Sequence, residues 1–232
     1  MNLKKAATYL AVLLITIGLI YAYVIFRKAF HSNTNFEQAS VFVHIPSDAT
    51  MAQSKDSIKK YIKDWEQFDG VFTQFEMDKN LISGRFELKR GMTNFQIAQA
   101  LKKNVPVKLT FNNQETLEAL VKRISKQVEP SEADLLKVFT EEEFLKDNNV
   151  TRAQALSLFM PNTYEFYWNT TPLKIRNIIH KEYIRFWNVD RTNKAKELGL
   201  TAAEVSSLAS IVQKETAKVD ERPKVAGAYL NR

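Results

Sequence analysis

The chain has 232 residues, no cysteine and a formal net charge of +7. The lack of cysteine excludes disulfides, thiolate nucleophiles, cysteine-based zinc sites and the lipid-bearing cysteine of a lipoprotein. Four of the positive charges, Lys4, Lys5, Arg27 and Lys28, flank one apolar segment, and no acid lies in the first 28 residues. The charge therefore does not indicate a nucleic-acid-binding surface, which needs clustered basic residues.

The apolar segment predicts a membrane anchor. Residues 6–26 contain no charged side chain, and such a segment is long enough to cross a hydrocarbon core of roughly 30 Å. Bulky residues continue up to Arg27, so there is no small-residue cleavage site and we expect the helix to be retained. We predict a transmembrane anchor at residues 1–28, with the N-terminus in the cytoplasm favoured by a slight positive-inside bias.

The next part of the chain predicts a short linker and a small α/β domain. Residues 29–40 are polar and lack a period, so we expect a tether. Residues 41–45 and 85–90 predict strands, each followed by a turn and a helix; the helices are expected at 51–65 and from the capping box of Thr93 and Gln96. A third strand at 107–111 is expected to complete a mixed sheet, which gives a domain at 41–112.

Residues 113–232 predict a mostly helical region. Capping chemistry indicates where each helix begins. Helices are expected after Asn113, Ser131, Thr140, Thr151 and Thr201, and over residues 172–187. The expected fold class is α+β: a transmembrane helix, a small α/β domain, and a mostly helical region leading into an α+β domain.

Several common kinds of active site are not indicated. His31, His44 and His180 are far apart in sequence and form no metal-binding motif. No GxSxG elbow or glycine-rich phosphate loop occurs. We expect neither a metal nor a cofactor.

One carboxylate stands out on the helix that follows Thr201. Its apolar stripe of Leu208, Ile211 and Val212 continues at helical spacing to Glu215 and then to Val219. Burial among apolar neighbours would keep a carboxyl group protonated near neutral pH, as a general acid requires. The alternative is that Glu215 lies at a helix end and turns outward to water.

A second candidate is the segment at residues 159–170, FMPNTYEFYWNT. Aromatic rings stack on sugar C–H surfaces, and the interleaved amide, hydroxyl and carboxylate groups can bind sugar hydroxyls. The segment could equally pack its aromatic side chains into the core.

Residues 208–232, LASIVQKETAKVDERPKVAGAYLNR, resemble the signature of the endolytic murein transglycosylases, the YceG-like or MltG family. That signature is an A-S-I-[IV]-x-x-E-T helix followed by E-x-P-x-V-A and Asn-Arg. The Glu before Thr is the family's catalytic residue, which here is Glu215. Upstream, MPNTYEFYWNT resembles the family's F-x-P-[DN]-T-Y-x-F element, which lines the substrate groove.

The resemblance implies a bacterial peptidoglycan lytic transglycosylase, a lyase that cleaves the bond between N-acetylmuramic acid and N-acetylglucosamine and leaves 1,6-anhydro ends. It implies a single-pass protein of the inner membrane with its domain in the periplasm, and contact with glycan strands, penicillin-binding proteins and other cell-wall synthases. It also implies that residues 41–112 form a LysM-like glycan-binding domain. The implied substrate-binding residues are Asn162, Thr163, Tyr164, Glu165, Gln213 and Thr216.

Two features depart from the family pattern. Many relatives have a carboxylate at the position of Gln213, although an amide can still hydrogen-bond sugar. Family members also continue past the position of Arg232, so we expect residues 113–232 to be an incomplete catalytic region. The alternative to catalysis is a peptidoglycan-binding protein or a scaffold of the cell-wall synthesis machinery.

Overall fold

The computed structural model describes residues 3–231, with side chains from Tyr9 onward except at positions 28 and 29. It has the mixed helix and strand content of an α+β protein, as predicted. The chain divides into two compact units, Met1–Pro106 (unit 1) and Val107–Arg232 (unit 2).

Unit 1 begins with a long apolar helix, α1 (Leu3–Phe30). Its segment Tyr9–Arg27 has 19 residues, none of them buried, and is long and apolar enough to cross a membrane. At 1.5 Å per residue this segment spans about 28 Å. The helix is therefore compatible with the predicted single-pass anchor.

The rest of unit 1 combines two antiparallel strands with four helices. Strand β1 (Ser40–Ile45) pairs with β2 (Gly84–Lys89), with Ser40 opposite Lys89 and Ile45 opposite Gly84. Alternate residues Val43, Phe86 and Leu88 point into a core that the helices cover. The helices are α2 (Met51–Lys59), α3 (Trp65–Gln74), α4 (Met77–Asn80) and α5 (Asn94–Ala100).

Two predictions for unit 1 are wrong. The single helix expected at 51–65 ends at Lys59, because Asp64 caps a new helix: its carboxylate accepts the Gln67 amide hydrogen at 3.1 Å. The third strand does not join β1 and β2. It pairs instead with a strand of unit 2 that the sequence analysis did not predict.

Part of the predicted tether is held against the folded domain by a buried asparagine. The Asn33 side chain, 3% exposed, donates to the Asp64 carbonyl and to Asn94 Oδ1, both at 2.7 Å. Its Oδ1 accepts the Asp64 amide hydrogen at 2.7 Å. The link between α1 and the domain is therefore fixed by side-chain hydrogen bonds at residue 33.

Removing this buried side chain should destabilise unit 1. Asn33→Ala leaves the Asp64 backbone groups without their partner, at an expected cost of about 2–3 kcal/mol. The matched control is Asn35→Ala, whose exposed amide makes a 3.1 Å bond to the Lys60 carbonyl; its expected cost is below about 1 kcal/mol. Hydrogen exchange of the β1 and β2 amides in the detergent-solubilised protein measures both. An equal loss of unit 1 stability in the two variants would contradict the stabilising role given to the buried Asn33 side chain.

Unit 2 is mostly helical around a second two-stranded sheet. Strand β3 (Pro106–Phe111) pairs with β4 (Asn162–Tyr167). A 3₁₀ helix covers Arg152–Leu158. The α-helices are α6 (Leu117–Ser125), α7 (Glu132–Phe139), α8 (Glu142–Asp147), α9 (Pro172–Phe186), α10 (Val189–Glu197), α11 (Ala202–Glu215) and α12 (Arg222–Leu230).

Most predicted helix starts are confirmed. Ser131 caps α7, and Thr201 forms a capping box with Glu204. Two are shifted: α6 is capped by Thr116 rather than Asn113, and α8 begins after Glu141. The Thr140 hydroxyl is used elsewhere: it donates to the Leu136 carbonyl at 2.8 Å and accepts a hydrogen bond from the Arg152 guanidinium at 3.2 Å.

Candidate active site

The site is built on α11, which the Thr201 capping box initiates. The Thr201 amide donates to Glu204 Oε2 at 2.7 Å, and the Glu204 amide donates to the Thr201 hydroxyl at 3.2 Å. The backbone and side-chain hydrogen bonds from Thr201 hold the pKa of Glu204 below its usual value. From this start the helix runs to Glu215, and Thr216 is extended. Glu215 is therefore the last residue of α11.

The expectation that Glu215 is buried is wrong, and the alternative of an outward-facing helix end describes the structure. The Glu215 side chain is exposed. Its predicted apolar neighbours Ile211 and Val219 are 41% and 70% exposed, whereas Val212 is 6% exposed. The buried residues of α11 are Ala203, near its start, and Val212, and α12, which packs beside α11, has no buried residue. Glu215 lies one turn past Val212, beyond the last core contact of the helix.

The Glu215 carboxylate is nevertheless held by a specific partner. The Tyr229 hydroxyl on α12 donates to Glu215 Oε1 at 3.0 Å. Tyr229 was not among the predicted site residues, because no helical spacing relates two residues on different helices. Only the turn between α11 and α12 brings them together.

That turn is organised by Thr216. Its hydroxyl donates to Glu221 Oε2 at 2.8 Å and accepts the Lys218 amide hydrogen at 3.1 Å. Lys218 also forms an ion pair with Glu221 at 3.1 Å. The structure thus gives Thr216 a local role beside the substrate-binding role predicted for it.

The C-terminal end of α11 is also joined to the segment that follows β3. The Asn113 side-chain amide donates to Gln213 Oε1 at 2.6 Å, and Lys214 forms an ion pair with Glu115 at 2.6 Å. The hydrogen bond and Coulomb attraction of Lys214 lower the pKa of Glu115. Gln213, a predicted sugar ligand, therefore lies on the exposed surface with its carbonyl oxygen oriented by Asn113.

The predicted sugar-binding segment forms β4, and its side chains alternate. Asn162, Thr163 and Glu165 are exposed, whereas Tyr164 is 4% exposed. The Tyr164 ring stacks on Phe111 with 5.4 Å between centroids, and its hydroxyl donates to the Met160 carbonyl. Burial, with a smaller contribution from the charge of Glu182, raises the pKa of Tyr164 to about 12. Tyr164 is thus a core residue that fixes the strand.

On the exposed face of β4, a side-chain hydrogen bond is made to β3 rather than to Glu215. The Thr163 hydroxyl lies 2.8 Å from that of Thr110 on β3, and the Asn162 side chain accepts the Thr163 amide hydrogen at 2.7 Å. Within residues 3–231, no hydrogen bond joins Glu215 to β4. The two groups of candidate residues, those on β4 and those at the end of α11, are linked through β3, which pairs with β4, and through Asn113, which bonds to Gln213.

This end of α11 combines the exposed Glu215 carboxylate with hydroxyl and amide groups and with two ion pairs, Lys214–Glu115 and Lys218–Glu221. In the part of the chain that the structure describes, no three His, Asp or Glu side chains are grouped so as to hold a metal ion. Glu221 is engaged by Thr216 and Lys218, whereas Glu215 is exposed and is bonded to the Tyr229 hydroxyl. This arrangement suits proton transfer by a single acid/base residue.

Comparison with known proteins decides the family. The model of the YceG-like family matches residues 43–232. The chain belongs to the YceG-like family. This confirms the resemblance read from residues 208–232, and the match begins in β1, after α1.

Solved structures similar to this chain include one from the same family by its description. It is the crystal structure of a protein from Listeria monocytogenes described as yceG-like, with 21% sequence identity and a TM-score of 0.44. The alignment covers 80% of this chain and 67% of the other. A search of curated proteins finds no significant match.

The role of Thr216 in the turn is testable without an activity assay. Thr216→Val removes the acceptor of the Lys218 amide and the donor to Glu221, so amide exchange over residues 217–221 should accelerate. Thr216→Ser retains the hydroxyl and should exchange like the unmodified protein. Hydrogen exchange with mass spectrometry measures both, with residues 202–212 of α11 as the internal reference. Unchanged exchange in Thr216→Val would show that the turn does not depend on this hydroxyl.

Proposed function

We propose that this protein is a membrane-anchored peptidoglycan lytic transglycosylase that uses Glu215 as its acid/base. Membership of the YceG-like family supports a peptidoglycan-directed function. The observation that carries the assignment to Glu215 is its position at the exposed end of α11, with Tyr229 hydrogen-bonded to Oε1.

The proposed reaction is an intramolecular displacement. Protonated Glu215 donates its proton to the glycosidic oxygen between N-acetylmuramic acid and N-acetylglucosamine, and that bond breaks. The resulting carboxylate accepts the proton of the C6 hydroxyl of the muramic acid, whose oxygen bonds to C1. The products are a 1,6-anhydro end and a free N-acetylglucosamine hydroxyl. Such a cut within a growing glycan strand terminates the elongation of that strand.

A single carboxylate is sufficient for this route. Ordinary glycosidases use two, one of which activates water or forms a covalent bond. Here the nucleophile is part of the substrate ring, and proximity replaces the second carboxylate. The exposed setting of Glu215 suits a long polymer, because a glycan strand lying across the helix end would itself cover the carboxylate and exclude water from it.

The neighbouring polar groups have supporting roles in this proposal. The Tyr229 hydroxyl fixes the rotamer of Glu215, and Gln213, held by Asn113, offers its amide to sugar hydroxyls or N-acetyl groups. Asn162, Thr163 and Glu165 offer further hydrogen-bonding groups on the exposed face of β4. Tyr164 supports that strand from the core.

The remainder of the chain gives the reaction its location. We propose that α1 anchors the protein in the bacterial inner membrane, with the rest of the chain after α1 in the periplasm, and that the part of unit 1 that follows α1 acts as a LysM-like glycan-binding domain. Partners among penicillin-binding proteins and other cell-wall synthases are part of the same proposal. A protein held at the membrane meets strands as they are polymerised.

The second candidate function is glycan binding or scaffolding without catalysis. The observation that favours it is the exposure of Glu215, which lacks the apolar wall expected around a general acid. Sedimentation with insoluble peptidoglycan separates a binding protein from a scaffold. Product analysis separates both from an enzyme.

Glu215→Gln should abolish strand cleavage because an amide cannot donate and then accept the proton. The expected loss of 1,6-anhydro product, measured by mass spectrometry of digested glycan strands, is at least about 10²-fold. Peptidoglycan binding should be unchanged. Glu197→Gln, at the exposed end of α10, is the matched control and should retain full activity. Reducing ends in place of anhydro ends, or equal activity in both variants, would overturn the mechanism.

Tyr229→Phe should lower the cleavage rate without unfolding the protein. The change keeps the ring and removes one hydrogen bond to a charged group, worth about 1.5 kcal/mol, or roughly a tenfold fall in kcat. The control Tyr61→Phe removes a hydroxyl from unit 1 and should leave kcat unchanged. A Tyr229→Phe variant as active as the unmodified protein would remove Tyr229 from the account.

A further inference from the structure

A cavity of about 670 Å³ opens in unit 1 next to the end of α1. This volume lies within the ~300–1,000 Å³ range of small-ligand sites. Its lining combines residues that follow α1 directly with residues around the start of α3. The lining side chains that are ionisable or carry an indole are His31, Lys59, Lys63, Asp64, Trp65 and Glu66.

The position of α1 sets the depth of this cavity relative to a membrane. The span ends at Arg27, and His31 lies four residues later, about 6 Å along a helix axis. The polar headgroup layer of a bilayer is about 5–8 Å thick on each side. If α1 spans the membrane, the cavity therefore lies at the level of the lipid headgroups.

Packing contacts and hydrogen bonds hold the residues around the cavity in place relative to α1. The Phe30 ring stacks on Phe95 of α5 with 5.7 Å between centroids, and α1 also contacts α3. The Asn33 amide nitrogen donates to the Met92 carbonyl at 2.9 Å, and the Lys63 amide donates to the Asn33 carbonyl at 3.0 Å. Residues on both sides of the cavity thus keep their positions relative to the membrane span.

The charges that line the cavity are of both signs. Lys59 and Lys63 are exposed, and among the residues that the structure describes neither forms an ion pair. Asp64 is occupied by capping α3, since Oδ1 accepts the Gln67 amide and Oδ2 the Gln67 side chain. Glu66 is exposed and makes no salt bridge within the described part of the chain. Two ammonium groups and one carboxylate therefore remain to meet a ligand.

This set matches a zwitterionic headgroup better than a purely anionic one. A phosphate diester can accept hydrogen bonds from both lysines, and a primary ammonium can donate to Glu66. The helix dipole alone would favour a cation at Lys59, which lies in the last turn of α2. The dipole does not account for Lys63, which lies outside any helix. The half-buried Trp65 ring, 5.6 Å from Phe68, suits the boundary between headgroups and acyl chains.

We propose that this cavity binds the phosphoethanolamine headgroup of a membrane phospholipid, with its phosphate between Lys59 and Lys63 and its ammonium on Glu66. The proposal depends on α1 spanning the membrane and not on catalysis by Glu215. It would hold the domain at a defined height above the bilayer. Binding in the cavity and cleavage at Glu215 can therefore fail separately.

The test uses the full chain in nanodiscs and native mass spectrometry of the lipids it retains. Phosphatidylethanolamine should be retained about tenfold over phosphatidylcholine, whose quaternary ammonium cannot donate to Glu66. Lys59→Gln with Lys63→Gln should reduce retention of phosphatidylethanolamine to the phosphatidylcholine level. Glu66→Gln should abolish the preference between the two lipids. The control Lys89→Gln with Lys103→Gln, two exposed lysines outside the cavity, should change neither.

A second measurement needs no variant. Phosphatidylethanolamine should slow acetylation of Lys59 and Lys63 several-fold relative to Lys89 in the unmodified protein, whereas inorganic phosphate added to lipid-free protein should not. Equal retention of the lipids, a preference for phosphatidylglycerol, or protection by phosphate alone would each overturn the proposal.

Discussion

The position of Glu215 depends on where α11 leaves the core. Val212 is its last buried residue, and three residues later the helix ends at Glu215. The core therefore fixes the helix but not the carboxylate, and the Tyr229 hydroxyl supplies the contact that the core does not. Thr216 in turn sets the path of the chain from one helix to the other. The Glu215 carboxylate is thus held by a polar contact at the exposed end of the helix.

Local sequence predicted much of this architecture because its signals are local. The capping boxes at Thr93 and Thr201 each need only residues three apart, and both form as expected. The apolar length of α1 likewise needs no tertiary partner. Where two signals competed, sequence reasoning failed: Asn113 precedes α6, but Thr116 is the residue whose side chain caps it.

What could not be predicted involves contacts between distant parts of the chain. The pairing of β3 with β4 joins residues more than fifty positions apart, and the alternating aromatic residues of β4 were compatible with a strand or with a sugar-binding loop. The apolar stripe of α11 predicted burial at Glu215, yet a stripe shows only which face is apolar and not how far along it the core extends. The family motif also singled out Glu215, and its role stays a prediction, whereas Tyr229 carried no spacing signal at all.

The most direct test of the central claim is a structure of the Glu215→Gln variant bound to an uncleaved glycan strand. The side chain at position 215 should lie about 2.6–3.2 Å from the oxygen linking N-acetylmuramic acid to N-acetylglucosamine. The strand should cover the end of α11 beside Tyr229. A strand bound elsewhere on the chain, with position 215 still open to solvent, would contradict the claim.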